Sequence, residues 1–281
     1  MRAHFGGSSR ESLKVSRSAI DAAVKGATPE AASTLCTELF FAAMILAGSI
    51  GLRRAITDPS RDNAAKATLV TEIFGKSVDA KALGILTTIS SLRWSSSGDL
   101  VQVVEQLAIE SEASAANMDN ELDRVEDEFF ATSQAISGSF DLRKALLVPD
   151  AADAADAKGA LVQGLLGKTA ATSTIKLVTH LVSNLRGRSI EAAFDDYLYA
   201  LAARRNRVIA HVRVAAALSD AQRDRLVTVL TAQVGQPVRV NLEIDPTIVG
   251  GVSVMFGDEI VDGTISNRIA DAGRALVGVH A

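Results

Sequence analysis

The chain has almost nothing from which to build a covalent framework. Among 281 residues there is one cysteine, Cys36. A single thiol cannot close an internal disulfide, so a stapled scaffold is excluded; the expectation is a buried, inert thiol in a cytosolic protein. Aromatic residues are scarce at 4%, with one Trp and two Tyr, and prolines number five. The 48% apolar content is carried mainly by Ala, Leu and Val, which suits helices packed through small and aliphatic side chains. No long hydrophobic run is present: the longest, Leu39 to Ala47, falls far short of the ~20 residues of a membrane span. The first residues, MRAHFGGSSRESL, show no apolar signal core. A net charge of -4 gives no general attraction to nucleic acid or anionic lipid. The four histidines, His4, His180, His211 and His280, are scattered without a second ligand at metal spacing, so neither metal nor cofactor is expected.

What the chain does have is a repeat. Glu38 to Pro59 reads ELFFAAMILAGSIGLRRAITDP and Glu128 to Pro149 reads EFFATSQAISGSFDLRKALLVP. At an offset of 90 the pairs Glu38/Glu128, Phe40/Phe130, Gly48/Gly138, Ser49/Ser139, Leu52/Leu142, Arg53/Arg143, Ala55/Ala145 and Pro59/Pro149 are identical. The match continues with Lys66/Lys158, Val70/Val162, Gly75/Gly167 and Lys76/Lys168 at 92, then Ser90/Ser183, Leu92/Leu185 and Arg93/Arg186 at 93. The two single-step slips fall between helical patterns, where loops absorb them.

Periodicity then sets the elements. Ser8 with Glu11 reads as a capping box opening a first helix through Leu13, Ile20 and Val24. A second helix spans 30–47 and stops at Gly48-Ser49. Further amphipathic patterns cover 61–74, 78–92 and 99–118. Asp99 to Glu128 holds ten acidic residues against Arg124, with helical spacing throughout and neither Pro nor Gly. It reads as one continuous helical connection whose charge is a solvated face or, more sharply, a docking surface for a basic partner helix. Ile190, Phe194, Tyr197, Leu198 and Leu201 mark the last helix of the second copy.

Beyond Arg205 the period changes to two. Val208, Ala210, Val212 and Val214 alternate as a strand; Ser219 with Gln222 opens a helix; Val238 to Ile244 form a second strand. Val252, Val254 and Phe256, then Gly257-Asp258 and Ile260, read as a hairpin, and Asp262-Gly263-Thr264 leads to a final helix. The fold class is therefore α+β, mostly α: two tandem helical bundles, 1–115 and 116–206, followed by a small βαβββα domain, 207–281.

Chemistry is thin. Gly75-Lys76-Ser77 and Gly167-Lys168-Thr169 look like ends of phosphate-binding loops, but Val70 and Val162 stand where that loop needs glycine. Both read instead as helix ends. Asp195 and Asp196 are adjacent on a helix and point apart, no serine sits on a nucleophile elbow, and Arg204, Arg205 and Arg207 have nothing beside them that stacks bases. No enzyme activity is expected.

The tail carries a resemblance. Val214 to Leu230, Val238 to Ile244, the strand opening at Gly250-Gly251, and Gly257-Asp258-Glu259-Ile260-Val261-Asp262-Gly263-Thr264 are similar to the C-terminal domain of the ATP synthase delta subunit, or OSCP, family. Residues 116–206 fit that family's N-terminal bundle, and 1–115 resemble the extra copy of its long actinobacterial form. The resemblance implies a stator of a proton-translocating F-type ATP synthase at the cytoplasmic face of the cell membrane. Its bundle would hold the N-termini of the alpha subunits through Val125, Phe129 and Ile136 on one helix and Ile175, Val178 and Val182 on another. Its C-terminal domain, marked by Gly250, Gly251, Asp262 and Gly263, would hold the C-terminus of a separate b subunit. A non-catalytic adaptor in another complex is the alternative.

Overall fold

A computed structural model describes residues 5–147, 154–204, 208–234, 238–245, 248, 251–256 and 259–264. The chain forms two compact units, Met1–Leu201 and Ala202–Ala281.

In the first unit the helices are α1 (Gly7–Val24), α2 (Pro29–Gly48), α3 (Ile50–Thr57), α4 (Asn63–Phe74), α5 (Ala80–Ser90), α6 (Ser97–Met118), α7 (Leu122–Gly138), α8 (Phe140–Leu146), α9 (Ala154–Leu166), α10 (Thr172–Ser183) and α11 (Ile190–Ala203). Local chemistry sets several ends. Thr28 caps α2 by accepting Ala31 N–H at 3.3 Å, with Pro29 at the first helical position, where a missing donor costs nothing. The expected Ser8–Glu11 box does not form. α1 begins two residues earlier, capped by Gly6 with no side-chain bond.

The duplicated stretch folds in matched fashion. Ser49 and Ser139 turn to extended backbone, at φ -125° and -119°, and end α2 and α7. Each then caps the next helix: Ser49 Oγ accepts Leu52 N–H at 3.2 Å and Ser139 Oγ accepts Leu142 N–H at 3.3 Å. The helix stop thus lies with the serine of the Gly-Ser pair.

α2 is long and apolar enough, by length and composition, to cross a membrane. Here its Leu35, Cys36, Leu39, Phe40, Ala43 and Leu46 are buried core, and it runs along α6 as its principal neighbour. The expected continuous helix from Asp99 to Glu128 is interrupted. Asn120 adopts φ 59°, Asn120 N–H reaches Asn117 C=O at 3.2 Å, and Glu121 N–H reaches Ala116 C=O at 2.8 Å. This is a Schellman stop with asparagine in the left-handed position, which it tolerates better than most residues.

The acids of α6 are not a solvated face either. Residues 103–116 are all buried, because helices from both copies surround α6; the expected boundary at 115 falls inside it. Each buried carboxylate has a basic partner far along the chain. Glu110 meets Arg17 at 2.7 Å, Glu112 meets Lys176 at 3.0 Å, and Glu105 pairs with both Arg186 and Arg188. Arg186 and Gly187 adopt left-handed backbone, φ 50° and 78°, which turns the loop after α10 back toward Glu105. Phe40 of α2 stacks on His180 of α10 with centroids 3.5 Å apart. His180 Nδ1 lies 2.8 Å from Tyr197 Oη, and that hydroxyl donates to Glu105 at 3.2 Å.

The second unit is a sheet of order β2-β1-β3-β4, built from β1 (Val208–Val214), β2 (Val238–Ile244), β3 (Gly251–Phe256) and β4 (Glu259–Thr264). α12 (Asp220–Val234) crosses from β1 to the parallel β2, with Val212 opposite Leu242. β3 runs antiparallel to β1, and β4 to β3. The expected box opens α12: Ser219 N–H donates to Gln222 Oε1 at 2.9 Å, and Gln222 N–H to Ser219 Oγ at 3.4 Å. Ala210, Val212, Val214, Leu230, Val238, Val240 and Val254 form its core. The expected final helix lies outside the described residues.

Candidate functional site

Glu128 organises the second copy. Its carboxylate accepts Ala171 N–H at 2.8 Å and Thr174 Oγ1–H at 2.6 Å, while Arg124, bonded to it at 2.8 Å, also donates to Thr169 C=O at 2.8 Å. Burial pushes this carboxyl upward, but the hydrogen bonds from Thr174, Ala171 and Arg124 outweigh it and hold the pKa below the usual range. The start of α10 is thereby fixed to α7, and α8 and α9 lie alongside.

These elements leave an apolar groove of about 470 Å³, its floor and walls formed by Ala131, Ala135, Ile136, Leu142, Leu146, Val162, Leu165, Leu166, Ala170 and Val178. Glu128, Thr132 and Thr169 add its polar edge. Leu165 is 54% exposed on the wall. Such a trough has no acid/base pair or nucleophile to offer; what it can accommodate is a set of apolar side chains with polar groups at one margin.

Of the groove residues expected from sequence, Ile136 and Val178 line this space. Val125, Phe129 and Val182 are fully buried, Phe129 packing on Phe194 and Tyr197, and Ile175 is half-buried; none of the four lines the groove. Helical spacing marks the buried stripe of each helix. It does not separate core from groove wall.

A signal was nevertheless present in the repeat. The first copy carries Phe41, Ile45 and Phe74 at the positions matching Ala131, Ala135 and Leu166. Phe74 is fully buried. Phe41 and Ile45 are half-buried, and at the two alanine positions the second copy carries the smaller side chain.

The two Gly-Lys sites are helix ends, as expected. Gly75 N–H bonds Thr71 C=O and Gly167 N–H bonds Gln163 C=O, both at 2.9 Å. A Cβ would lie 2.5 Å from the first carbonyl and 2.4 Å from the second, so only glycine fits. Cys36 is fully buried, and burial first, then the Glu112 charge, pushes its thiol up, away from the reactive thiolate.

In the second unit Gly251 opens β3 at φ 84°, a left-handed conformation that suits glycine; Gly250 lies outside the described residues. Asp262 and Gly263, expected as a turn before the final helix, instead belong to β4, opposite Ser253 and Val252. Beside β3 is an apolar depression of about 300 Å³ lined by Leu218, Leu226, Val229 and Val252, with Gln222 and Arg225 at its margin.

Comparison with known proteins gives the family. The model of the ATP synthase delta (OSCP) subunit family matches residues 110–276. The chain is 40% identical over 270 residues to ATP synthase subunit delta of Streptomyces coelicolor, covering 96% of this chain and 97% of the relative. It is 38% identical over 272 residues to that of Kineococcus radiotolerans, covering 97% and 98%. A chain of the Toxoplasma gondii mitochondrial ATP synthase hexamer is similar at 16% identity and a TM-score of 0.38, covering 60% of this chain and 95% of that one.

Proposed function

The chain belongs to the ATP synthase delta (OSCP) subunit family, and we propose that it is a non-catalytic peripheral-stalk component joining the alpha subunits of the catalytic head to the b stalk. In that role it holds the head against rotor torque, so that proton flow drives ATP synthesis. It works at the cytoplasmic face of the membrane, through the complex.

The groove between α7, α8, α9 and α10 is the observation that carries this reading. An amphipathic alpha N-terminal helix lays apolar side chains at i, i+3, i+4 and i+7 into such a trough. The small Ala131 and Ala135, matched by Phe41 and Ile45 in the first copy, widen the trough in the second copy, and this favours the second copy as the alpha-binding one. The second unit takes the end of b, and the depression beside Gly251 is its apolar seat. A stator must stay attached through many turnovers. At an ordinary association rate of ~10⁶ per molar per second, a ~1 nM complex lasts on the order of 10³ s and a ~1 μM complex about a second.

The matched wall residues Leu165 and Ile73, 54% and 37% exposed, provide the test. Titrating the chain with an alpha N-terminal peptide should show Leu165→Asp weakening binding at least tenfold and Ile73→Asp leaving it unchanged. The reverse result would assign the groove to the first copy; retention by both variants would sink the proposal.

A further inference from the structure

The duplication supplies an internal control for one arginine. Arg53 and Arg143 are matched, each four residues beyond the capping serine of its short helix. In the second copy Arg143 Nη1 meets Glu191 Oε1 at 3.2 Å. Glu191 is the second residue of α11, whose start is capped by Ser189 Oγ accepting Ala192 N–H at 3.1 Å. In the first copy α6 starts in the same way, with Ser96 Oγ accepting Gly98 N–H at 3.0 Å. The offset of 93 that relates Arg93 to Arg186 also relates Ser96 to Ser189 and Gly98 to Glu191. Where Arg143 has a carboxylate, Arg53 has a glycine.

Space opens at that point. A cavity of about 330 Å³ is lined by Arg53, Gly98, Gln102, Arg186 and Arg188, together with Ala47 and Val101, and among the described residues no acid lines it. Arg53 is held in place, its Nη1 donating to Leu46 C=O at 2.8 Å and Ala47 C=O at 2.6 Å, while its Nε is buried without a hydrogen-bond partner. Behind the cavity Arg186 and Arg188 share Glu105, and Arg188 also reaches Asp196 at 3.2 Å. Among the described residues Arg186 and Arg188 pair with Glu105 and Asp196, whereas Arg53 is bonded to main-chain carbonyls. The first turn of α6, at Gly98, adds the positive end of a long helix.

We infer that this cavity is an oxyanion site, in which a phosphate or carboxylate group bridges Arg53 to Arg186 and Arg188 beside the first turn of α6. Planar guanidiniums bind such groups through paired N–H donors, and Arg53, Arg186 and Arg188 all line this cavity. The group stands in for the carboxylate that the second copy carries internally. It arrives either on a free phosphate-bearing anion or as a carboxylate.

The test uses the full chain at low ionic strength, titrated separately with pyrophosphate and with citrate by calorimetry. Binding of one or both with a dissociation constant below about 1 mM is expected. Binding of pyrophosphate only identifies the ligand as phosphate, and binding of citrate only identifies it as carboxylate. Gly98→Glu rebuilds the pair of the second copy and should lower affinity at least tenfold with the melting temperature kept or raised. A Cβ at Gly98 meets only the Ser96 hydroxyl, at 3.3 Å. Arg53→Gln should lower affinity likewise. Conversely, Glu191→Gly frees Arg143 and should add weak anion binding in the second copy. If neither anion binds the unaltered chain, or if Gly98→Glu and Arg53→Gln both bind as the unaltered chain does, the inference is wrong.

Discussion

Glu128 accepts the backbone N–H of Ala171 at 2.8 Å, and in the first copy Glu38 accepts that of Asp79 at the same distance. The acceptors lie in the matched helices α2 and α7, and both donors are the residues that cap the start of a later helix, α5 or α10. The identity of Glu38 and Glu128 thus has a physical cause: each carboxylate satisfies a donor at a helix start and sits at the positive end of the helix dipole.

The two differ in the direction of their shifts, and this gives a first prediction. Burial raises the pKa of Glu38, whereas the hydrogen bonds around Glu128 lower its own. A lowered folded value means that Glu128 contributes stability fully present above its unfolded value and lost as pH falls through the folded one. Glu128→Gln should therefore cost about 1–2 kcal/mol in urea unfolding at pH 7, the worth of charged hydrogen bonds at a part-exposed site. The deficit should shrink toward pH 3, and an unchanged deficit would mean that the contact is not ionic.

A second prediction concerns His180. Burial first, then the charges of Arg186 and Arg188, push its pKa down to about 3, so it is neutral in the folded chain. Unfolded, it gains a proton near pH 6.5. Its contribution is complete above that value and is lost as pH falls from 6.5 toward 3, by roughly 4 kcal/mol at the acid end. His180→Phe keeps the stack on Phe40 and removes the titration. Melting temperatures from pH 7 to pH 4 should fall less steeply in the variant. Parallel curves would assign the acid sensitivity elsewhere.

The sequence carried local information well and long-range information poorly. Ser219 and Gln222 lie three residues apart and find each other whatever else folds, so their box was legible; so were the alternating strands and the Gly75 and Gly167 helix ends. The acids of α6 are the opposite case. Glu105, Glu110 and Glu112 look like a solvated face because their partners, Arg188, Arg17 and Lys176, lie 64 to 93 residues away. Asn120 hid the helix break, since no Gly or Pro marks it. At the groove, Phe129 and Ile136 share one apolar stripe, yet only Ile136 faces the open side. The comparison of alanine with phenylalanine between copies separates the two sides, and a single-helix pattern does not.

A third prediction follows from those long-range pairs. Lys176 Nζ bonds Glu112 at 3.0 Å and Ser33 Oγ at 2.6 Å, tying α10 and α2 to α6. Lys176→Met removes the cation and leaves Glu112, 2% exposed, with the Ser33 and Ser173 hydroxyls and the neutral Cys36 thiol beside it. An uncompensated buried carboxylate costs about 3 kcal/mol. Adding Glu112→Gln should restore most of it, because a neutral amide needs no counter-charge. Denaturant unfolding of the single and double variants measures the coupling, and additive losses would show that the pair acts only through packing.

The last prediction separates the two units. Gly251 holds φ 84° where β3 begins, opposite Thr264, and Val252, which lines the apolar depression, follows it immediately. A side chain at Gly251 forces a strained left-handed backbone, at a cost of about 1–2 kcal/mol, or a shift of the strand that carries Val252 out of register with Val214. Either response disturbs the second unit, whose core rests on Val254, Val212 and Ala210, and leaves the α6-centred packing of the first unit untouched. With Gly251→Val, binding of a peptide from the end of the b stalk should weaken at least tenfold, while the alpha peptide binds the same chain with unaltered affinity. Because strain and lost contact can both weaken binding, Val229→Asp serves as the companion change: Val229 is 53% exposed in the depression and can carry a charge without unfolding α12. Calorimetry on both variants decides the matter. Full b affinity in Val229→Asp would move the b seat away from the α12 face of the sheet.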